Sequence, residues 1–436
     1  MTFTKYPKMK DSGIEWIGEI PEKWDVNRMV SIGKFSKGRN ITKDDLRNIG
    51  HPCIVYSQLY TKYTRLVTSV ISFIDDKKFQ QTTKVNSGTF LFTSSGETIE
   101  DIGQCVLYDG NSEVSVGGDM VVFKIKDEIK FDNYFLSYVF NSDFFQYQKS
   151  ANSRGEIVVH VYERQLRDMT FPVPSLSEQK QIASYIDKKT AKIDDEITKN
   201  QNLIKLLQEK RQSEINRAVT KGLDDTVPMK DSGIEWIGEI PKHWNIMKLK
   251  RLVNLSQGIQ IPEDKQIDEE EKGYVRFLRI VDFTDNAKSR FVNKFDNNSF
   301  LEKDEIVMIR YGASAGKVLR GLKGVFANNM FKLISNYLLT NNFLFDFLNQ
   351  QLVQDHITEM SPVTTMPNIN HNIVYDLNIP LPSLNEQKQI TNFIYSKTAK
   401  IDSLISKIQL QISKLQEFRE SLISSAVTGK IKVAQA

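Results

Sequence analysis

The run Pro174-Ser-Leu-Ser-Glu-Gln-Lys-Gln-Ile182 returns 208 positions later as Pro382-Ser-Leu-Asn-Glu-Gln-Lys-Gln-Ile390. The echo continues through Thr190-Ala-Lys-Ile-Asp194 and Thr398-Ala-Lys-Ile-Asp402, and closes on Ala218-Val-Thr220 and Ala426-Val-Thr428. From Ser177 and from Asn385 onward neither run contains proline or glycine. Ser177 and Asn385 read as helix N-caps, with a proline just outside each. Apolar positions then recur at alternating intervals of four and three. In the first run the seam is Ile186, Thr190, Ile193, Ile197, Asn200, Ile204, Leu207 and Arg211. In the second it is Ile394, Thr398, Ile401, Ile405, Ile408, Ile412, Leu415, Arg419, Leu422 and Ala426. A seam held over four or more heptads marks a coiled-coil helix. At 1.5 Å per residue each helix would be a rod of roughly 65 Å. Two matching seams in one chain predict that the helices pair with each other, head to tail. Asn200 on the seam reads as a register-fixing polar residue.

Outward from the helices lies a second repeat. Met9–Pro21 and Met229–Pro241 are identical over thirteen residues, at an offset of 220. All four tryptophans fall in or beside it: Trp16, Trp24, Trp236 and Trp244. The reading is an irregular strap, its aromatics either anchored internally or offered to a partner subunit. Between strap and helix the two halves share a plan and little sequence. Each has a glycine-bearing loop (Lys37–Thr42; Gln257–Pro262) and a short strand-like run (Cys53–Ser57; Tyr274–Leu278). Each continues with an apolar run before a Ser/Gly turn (Thr89–Thr93; Ile306–Ile309), a Val/Phe run, and an aromatic helix-like stretch (Tyr134–Phe140; Phe343–Leu348). Short period-two strands plus a helix predict a compact α+β globule in each half.

The boundaries follow: a strap over 1–26, a variable domain over 27–170 and a long helix over 171–223. A second strap then spans 224–246, a second variable domain 247–378 and a second long helix 379–436. If a pseudo-two-fold relates the halves, the arrangement is circular, and the first strap sits at the end of the second helix.

Composition bounds the class. The 436 residues carry a net charge of +4, with 40% hydrophobic and 26% charged side chains, as in ordinary globular proteins. Two cysteines, Cys53 and Cys105, exclude a disulfide framework and suit a reducing compartment. No apolar signal core and no run approaching 18 apolar residues is present, which predicts a cytoplasmic protein with no membrane span. The five histidines lack metal-ligand spacing. Gly312-Ala-Ser-Ala-Gly-Lys317 has three residues between its glycines and Val318 where a phosphate loop needs Ser or Thr, so it reads as a plain turn. Neither an Asn-Pro-Pro-aromatic tetrapeptide nor a glycine-rich cofactor fingerprint occurs. The pattern is that of a binding protein rather than an enzyme. Duplicated straps and helices offer one surface twice, while unlike middles recognise unlike things, a combination that suits duplex DNA.

These motifs together (Pro-Ser-Leu-x-Glu-Gln, Thr-Ala-Lys-Ile-Asp, Ala-Val-Thr and the thirteen-residue strap) resemble the specificity subunit, HsdS, of type I restriction-modification systems, over the whole chain. The resemblance implies two target-recognition domains joined by a long antiparallel two-helix coiled coil. It implies a non-catalytic reader of a bipartite, asymmetric double-stranded DNA site that directs adenine methylation and DNA cleavage by other subunits. Two modification (methyltransferase) subunits and restriction (translocase/nuclease) subunits would be its partners. S-adenosylmethionine, ATP and Mg would then belong to those partners, with no cofactor and no metal in this chain. Asn200 and Glu214 stand where the second helix has Ile408 and Leu422, an asymmetry between the two docking helices.

Base-edge readout calls for Arg, Lys, Asn, Gln and hydroxyl side chains on turns. The candidates in the first domain are Tyr56, Gln58, Ser94, Ser95, Glu97, Thr98, Gln104 and Arg154. In the second they are Arg276, Arg279, Arg310, Tyr311, Ser314, Lys317, Asn328, Asn329, Asn368 and Asn370, with Arg310-Tyr311 and Asn368-Ile-Asn370 foremost. Trp16, Trp24, Trp236 and Trp244 are the candidate partner contacts. The competing readings are a coiled-coil scaffold and a stand-alone DNA-binding regulator without methyltransferase partners.

Overall fold

A computed structural model describes residues 4–39, 41–96, 102–152, 159–283, 288–293, 297–361 and 367–433. The chain divides into two compact units, one made of residues 1–200 with 410–436 and the other of residues 201–409. Each unit therefore contains one variable head, one strap, and segments from both long helices.

The helices run Leu176–Lys221 and Leu384–Val427, 46 and 44 residues. Every predicted seam position is buried or half-buried, with Ile186 fully enclosed and Thr190, Ile193, Asn200, Ile394, Thr398 and Ile401 at 8% exposure or less. Full burial of an isoleucine side chain is worth roughly 1.5–3 kcal/mol, so the enclosed seam positions hold the helix segments of each unit together. The caps lie two residues earlier than the sequence suggests. Ser175 Oγ accepts from Glu178 N (3.4 Å), and Ser383 Oγ accepts from Glu386 N (3.3 Å). Each Pro-Ser-Leu triplet thus supplies the outer proline, the cap and the first helical residue. Ser177 and Asn385 are already inside the helix.

In the first unit the start of the first helix packs against the end of the second. Trp24 Nε1 donates to Glu178 Oε2 (3.1 Å), Gly429 abuts Pro21 and Trp24, and Arg419 Nε meets Asp194 Oδ1 at 2.9 Å. The helices therefore run antiparallel. Chain closure is direct, because Lys432 N donates to Thr4 O (2.7 Å) and Lys430 Nζ to Glu19 O (2.8 Å). The first strap does sit at the end of the second helix. The second unit repeats the device with Gly222 against Trp244, His243 Nε2 against Glu386 Oε2 (3.1 Å) and Arg211 Nε on Asp402 Oδ1 (3.0 Å). Gly222 and Gly429 take φ of +76° and +72°, a left-handed helix exit that favours glycine. A side chain at Gly429 would also meet Pro21 at 2.3 Å.

The strap is regular rather than irregular. Met9–Asp11 pairs antiparallel with Glu19–Pro21, and Met229–Asp231 with Glu239–Pro241. Asp11 and Asp231 fix the turn by accepting from Gly13 N (3.0 Å) and Gly233 N (2.9 Å).

The heads share a strand order that their sequences conceal, the first carrying one additional edge strand. In the first, strands Gly33–Lys37, Met120–Ile125, Thr89–Thr93, Cys105–Tyr108 and Leu66–Val67 form one sheet in that order. A second sheet orders Ser72–Ile74, His51–Ile54, Val114–Val116 and Thr83–Val85. The second head has Val253–Gln257, Met330–Ser335, Ile306–Ile309 and Val318–Leu319, then Arg290–Val292, Val275–Leu278, Gly324–Phe326 and Phe300–Leu301. Both contain one corresponding parallel pair, Ser115↔Cys53 and Phe277↔Val325. The Cys53–Ser57 run ends as a strand at Ile54. Gln58 Oε1 accepts from Val55 N (3.2 Å) and starts the short helix Tyr56–Thr61. Cys53 and Cys105 are both buried free thiols.

In each head a glutamine near the start of one long helix bonds the helix entry to the head. Gln179 donates to Pro174 O (2.9 Å) and accepts from Asp132 N (2.9 Å), the cap of helix Asn133–Phe140. Gln387 donates to Pro382 O (3.1 Å) and accepts from Thr340 N (2.9 Å), the cap of helix Asn341–Leu348.

Candidate nucleic-acid interface

Three chain segments meet at one place in each head. In the first head, the turn leaving Thr89–Thr93 donates from Ser94 N to Asp119 O (3.1 Å), and Val161 N donates to Ser94 O (3.0 Å). Ser95 then forms a backbone bridge with His160. In the second head, Arg310 N donates to Asn329 O (2.9 Å), Ile369 N donates to Arg310 O (2.9 Å), and Tyr311 bridges Asn368. Residue by residue, Ser94, Ser95, Asp119 and His160 stand where Arg310, Tyr311, Asn329 and Asn368 stand. Tyr162 and Asn370 each precede a six-residue helix, Glu163–Asp168 and His371–Asp376.

The side chains on this common backbone differ. In the first head, Ser94 Oγ donates to Asp119 O (2.9 Å) and Ser95 Oγ bonds His160 Nδ1 (3.1 Å). Ser95 O accepts from Tyr56 OH (2.7 Å) and Tyr60 OH (2.6 Å). The His160 ring stacks on Tyr162, with centroids 5.8 Å apart. In the second head the Arg310 guanidinium lies 4.8 Å from both the Tyr311 and the Phe331 ring. Its Nη1 reaches Asn328 O at 3.4 Å, and its Nε is buried without a partner among the described residues. Burial, and secondarily the nearby Arg310 charge, push the His371 imidazole below its ordinary range. Stacked cations of this kind are pre-oriented donors.

The predicted residues sort accordingly. Tyr56, Ser94 and Ser95 come together in the first head, and Arg310, Tyr311, Asn328, Asn329 and Asn368 in the second. Asn370 is adjacent, but its Oδ1 caps the following helix by accepting from Ile373 N (3.1 Å). Asn329 has a buried Oδ1 with no partner among the described residues. Ser314 and Lys317 lie on the turn joining Ile306–Ile309 to Val318–Leu319, with Lys317 exposed.

Four candidates have internal duties instead. Gln58 is buried, its amide shared between Val55 N and the Ser72 hydroxyl. Gln104 is half-buried and donates to Tyr63 O (3.3 Å). Arg279 Nε sits 2.9 Å from Asp282 Oδ2 and Arg276 Nη2 sits 3.4 Å from Oδ1, on a carboxylate whose side chain is fully enclosed. Removing either arginine would uncover a buried charge, so their charge is spent inside the fold. Glu97, Thr98 and Arg154 lie outside the described residues.

Of the tryptophans, Trp24 and Trp244 are 1% and 0% exposed, anchored in the core of their own unit with no face left for a partner. Trp16 is 47% exposed, and the half-buried Trp236 stacks on His356 at 5.0 Å. The structure also brings Tyr60, Asp119, His160 and Tyr162 to this turn, none of them among the sequence candidates. The 208-residue offset maps Asn368 and Asn370 onto His160 and Tyr162, so that signal was present. No such offset leads to Asp119.

Two heads of one strand order, carrying unlike side chains on the same turn and mounted on a repeated frame, have the arrangement of a recognition protein. A family model described as the type I restriction modification DNA specificity domain matches residues 21–206 and 241–414, and the chain belongs to that family. It is 25% identical to a putative type I restriction enzyme MjaX specificity subunit of Methanocaldococcus jannaschii, over 96% of both chains. It is 23% identical to the EcoBI specificity subunit of Escherichia coli, over 65% of this chain and 62% of that one. In fold it is similar to a chain solved in work on complex assembly and conformational transition of a type I R-M system, with TM-score 0.75, 16% identity and coverage of 94% and 99%. It is also similar to the HsdS subunit of Thermoanaerobacter tengcongensis, with TM-score 0.56, 15% identity and coverage of 94% and 98%. DNA target recognition in a restriction-modification system is thus its function.

Proposed function

We propose that the chain reads a bipartite, asymmetric double-stranded DNA site, one half per head, in a cytoplasmic type I complex. Modification subunits would dock on the repeated frame and methylate adenine with S-adenosylmethionine, and restriction subunits would cleave with ATP and magnesium. None of that chemistry falls to this chain. The supporting observation is that Ser94-Ser95 and Arg310-Tyr311 occupy one backbone position in the two heads with different side chains. An identical frame with altered reading positions is what two unlike half-sites require.

The test is Arg310→Ala in a complex reconstituted with its modification subunits, followed by mapping of N6-methyladenine. Base preference should relax in one half-site and persist in the other. Equal loss at both halves, or no change at either, contradicts the assignment.

A further inference from the structure

The reading turn of the first head carries three side chains that the candidate set omits. Asp119 is exposed, and its backbone carbonyl, held by Ser94 N and Ser94 Oγ, fixes where the side chain starts. His160 is half-buried and has Nδ1 engaged by the Ser95 hydroxyl, which leaves Nε2 as its remaining polar atom. Tyr162 is 52% exposed and lies nearly parallel to the His160 ring, at an interplanar angle of 19°. All three occupy the backbone positions held in the second head by Asn329, Asn368 and Asn370.

We propose that Asp119, His160 and Tyr162 are specificity-determining residues of the first head, with Asp119 selecting a cytosine. The selection rests on charge. An ionised carboxylate only accepts hydrogen bonds. In the major groove the amino donors belong to cytosine and adenine, and adenine sets the N7 acceptor beside its amino group. That acceptor repels a carboxylate and suits an amide, which donates and accepts at once. Exchanging Asp119 for an amide therefore changes the preferred base rather than merely weakening contact. The ring pair His160–Tyr162 flanks Val161, which is bonded to the same Ser94, and has one ring nitrogen and one hydroxyl to offer to a neighbouring base edge.

This assignment rests on the DNA-reading function proposed above, and the experiment separates the two. Complexes of wild type, Asp119→Asn, His160→Ala and Tyr162→Phe with the modification subunits are bound to duplexes randomised across both half-sites, and the bound pools are sequenced. Asp119→Asn should lose about tenfold of its cytosine preference at one base pair of one half-site, with adenine gaining. His160→Ala and Tyr162→Phe should alter preference at a neighbouring pair of the same half-site. The untouched half-site is the internal control for folding. A wild-type complex without bipartite preference would sink the proposed function itself. A bipartite wild type whose three variants keep its preferences, or lose both halves equally, would overturn only this assignment.

Discussion

Asp346 should make the second unit less stable at neutral pH than it is in mild acid. It lies in helix Asn341–Leu348 and is 9% exposed, with Oδ2 enclosed and without a partner. It borders a cavity of about 150 Å³ that also touches Arg211, Arg320, Gln350 and Tyr395. The first unit shows what is missing. There the same helix position holds Tyr138, whose hydroxyl donates to Asp187 on the long helix. In the second unit the couple is exchanged, with Asp346 on the head and Tyr395 on the long helix. Arg320 donates to the Tyr395 hydroxyl, and Asp346 Oδ2 is left with no donor among the described residues. Burial pushes its carboxyl from 3.8 up to about 6, against the opposing pull of Arg320 and Arg211.

Between those values the folded state holds a proton that the unfolded chain has released. The stabilisation is therefore complete below about pH 4 and lost as pH rises through 6, a change of about 3 kcal/mol. Asp346→Asn keeps the shape and removes the charge. For a unit of this size about 3 kcal/mol corresponds to an upper limit of roughly 6–12 °C in Tm. Calorimetry from pH 4.5 to 8, with the transitions resolved, should show the variant melting higher at pH 7.5 and the gap closing toward pH 4.5. Parallel curves for the two proteins would show that the carboxylate is ionised and satisfied, and would refute the reasoning.

Two further substitutions test the frame. Asn200 is buried on the helix seam with Nδ2 unpartnered, where the second helix has Ile408, so Asn200→Ile should raise the denaturant midpoint by the equivalent of about 2 kcal/mol. Ile408→Asn should lower it, and a fall with Asn200→Ile would show that the amide is satisfied at the seam. Gln179→Leu strips partners from Pro174 O and Asp132 N and should cost about 2–4 kcal/mol in the first unit, while Gln387→Leu does the same in the second. Hydrogen exchange at the ends of the Asn133–Phe140 and Asn341–Leu348 helices reads each loss separately, and simultaneous loosening of both by one variant would contradict the pairing of each glutamine with its own head.

The long helices were legible because a seam is a local, periodic signal that any paired helix must carry. Their first turns were misread by two residues because Ser175 and Ser177 are equally good caps by type. What decides between them is Gln179, which fixes Pro174 O and so holds Ser175 just ahead of the first helical turn. The strap was legible as a repeat but not as a hairpin. Its strands are three residues long, and only the glycines at φ +70° and +67° reveal the turn between them. Within the strap, chemistry alone could not tell Trp24 from Trp16, since the Glu178 that receives Trp24 lies 154 residues away.

The candidate reading residues are harder to see for a related reason. An arginine that faces DNA and an arginine that neutralises a buried aspartate are the same letter, and Asp282 lies three residues from Arg279 and six from Arg276 without any pattern that flags it. Side-chain type therefore overpredicts readers wherever an acid is folded beneath. Backbone equivalence is a different criterion, because the second head supplies an independent instance of each position. Arg310 is matched by Ser94 and Asn368 by His160, whereas Arg276 and Arg279 are drawn to a carboxylate that belongs to one head alone. A position that both heads hold by the same backbone bonds can be filled with unlike polar groups while the backbone stays the same, and that tolerance is what a specificity determinant needs.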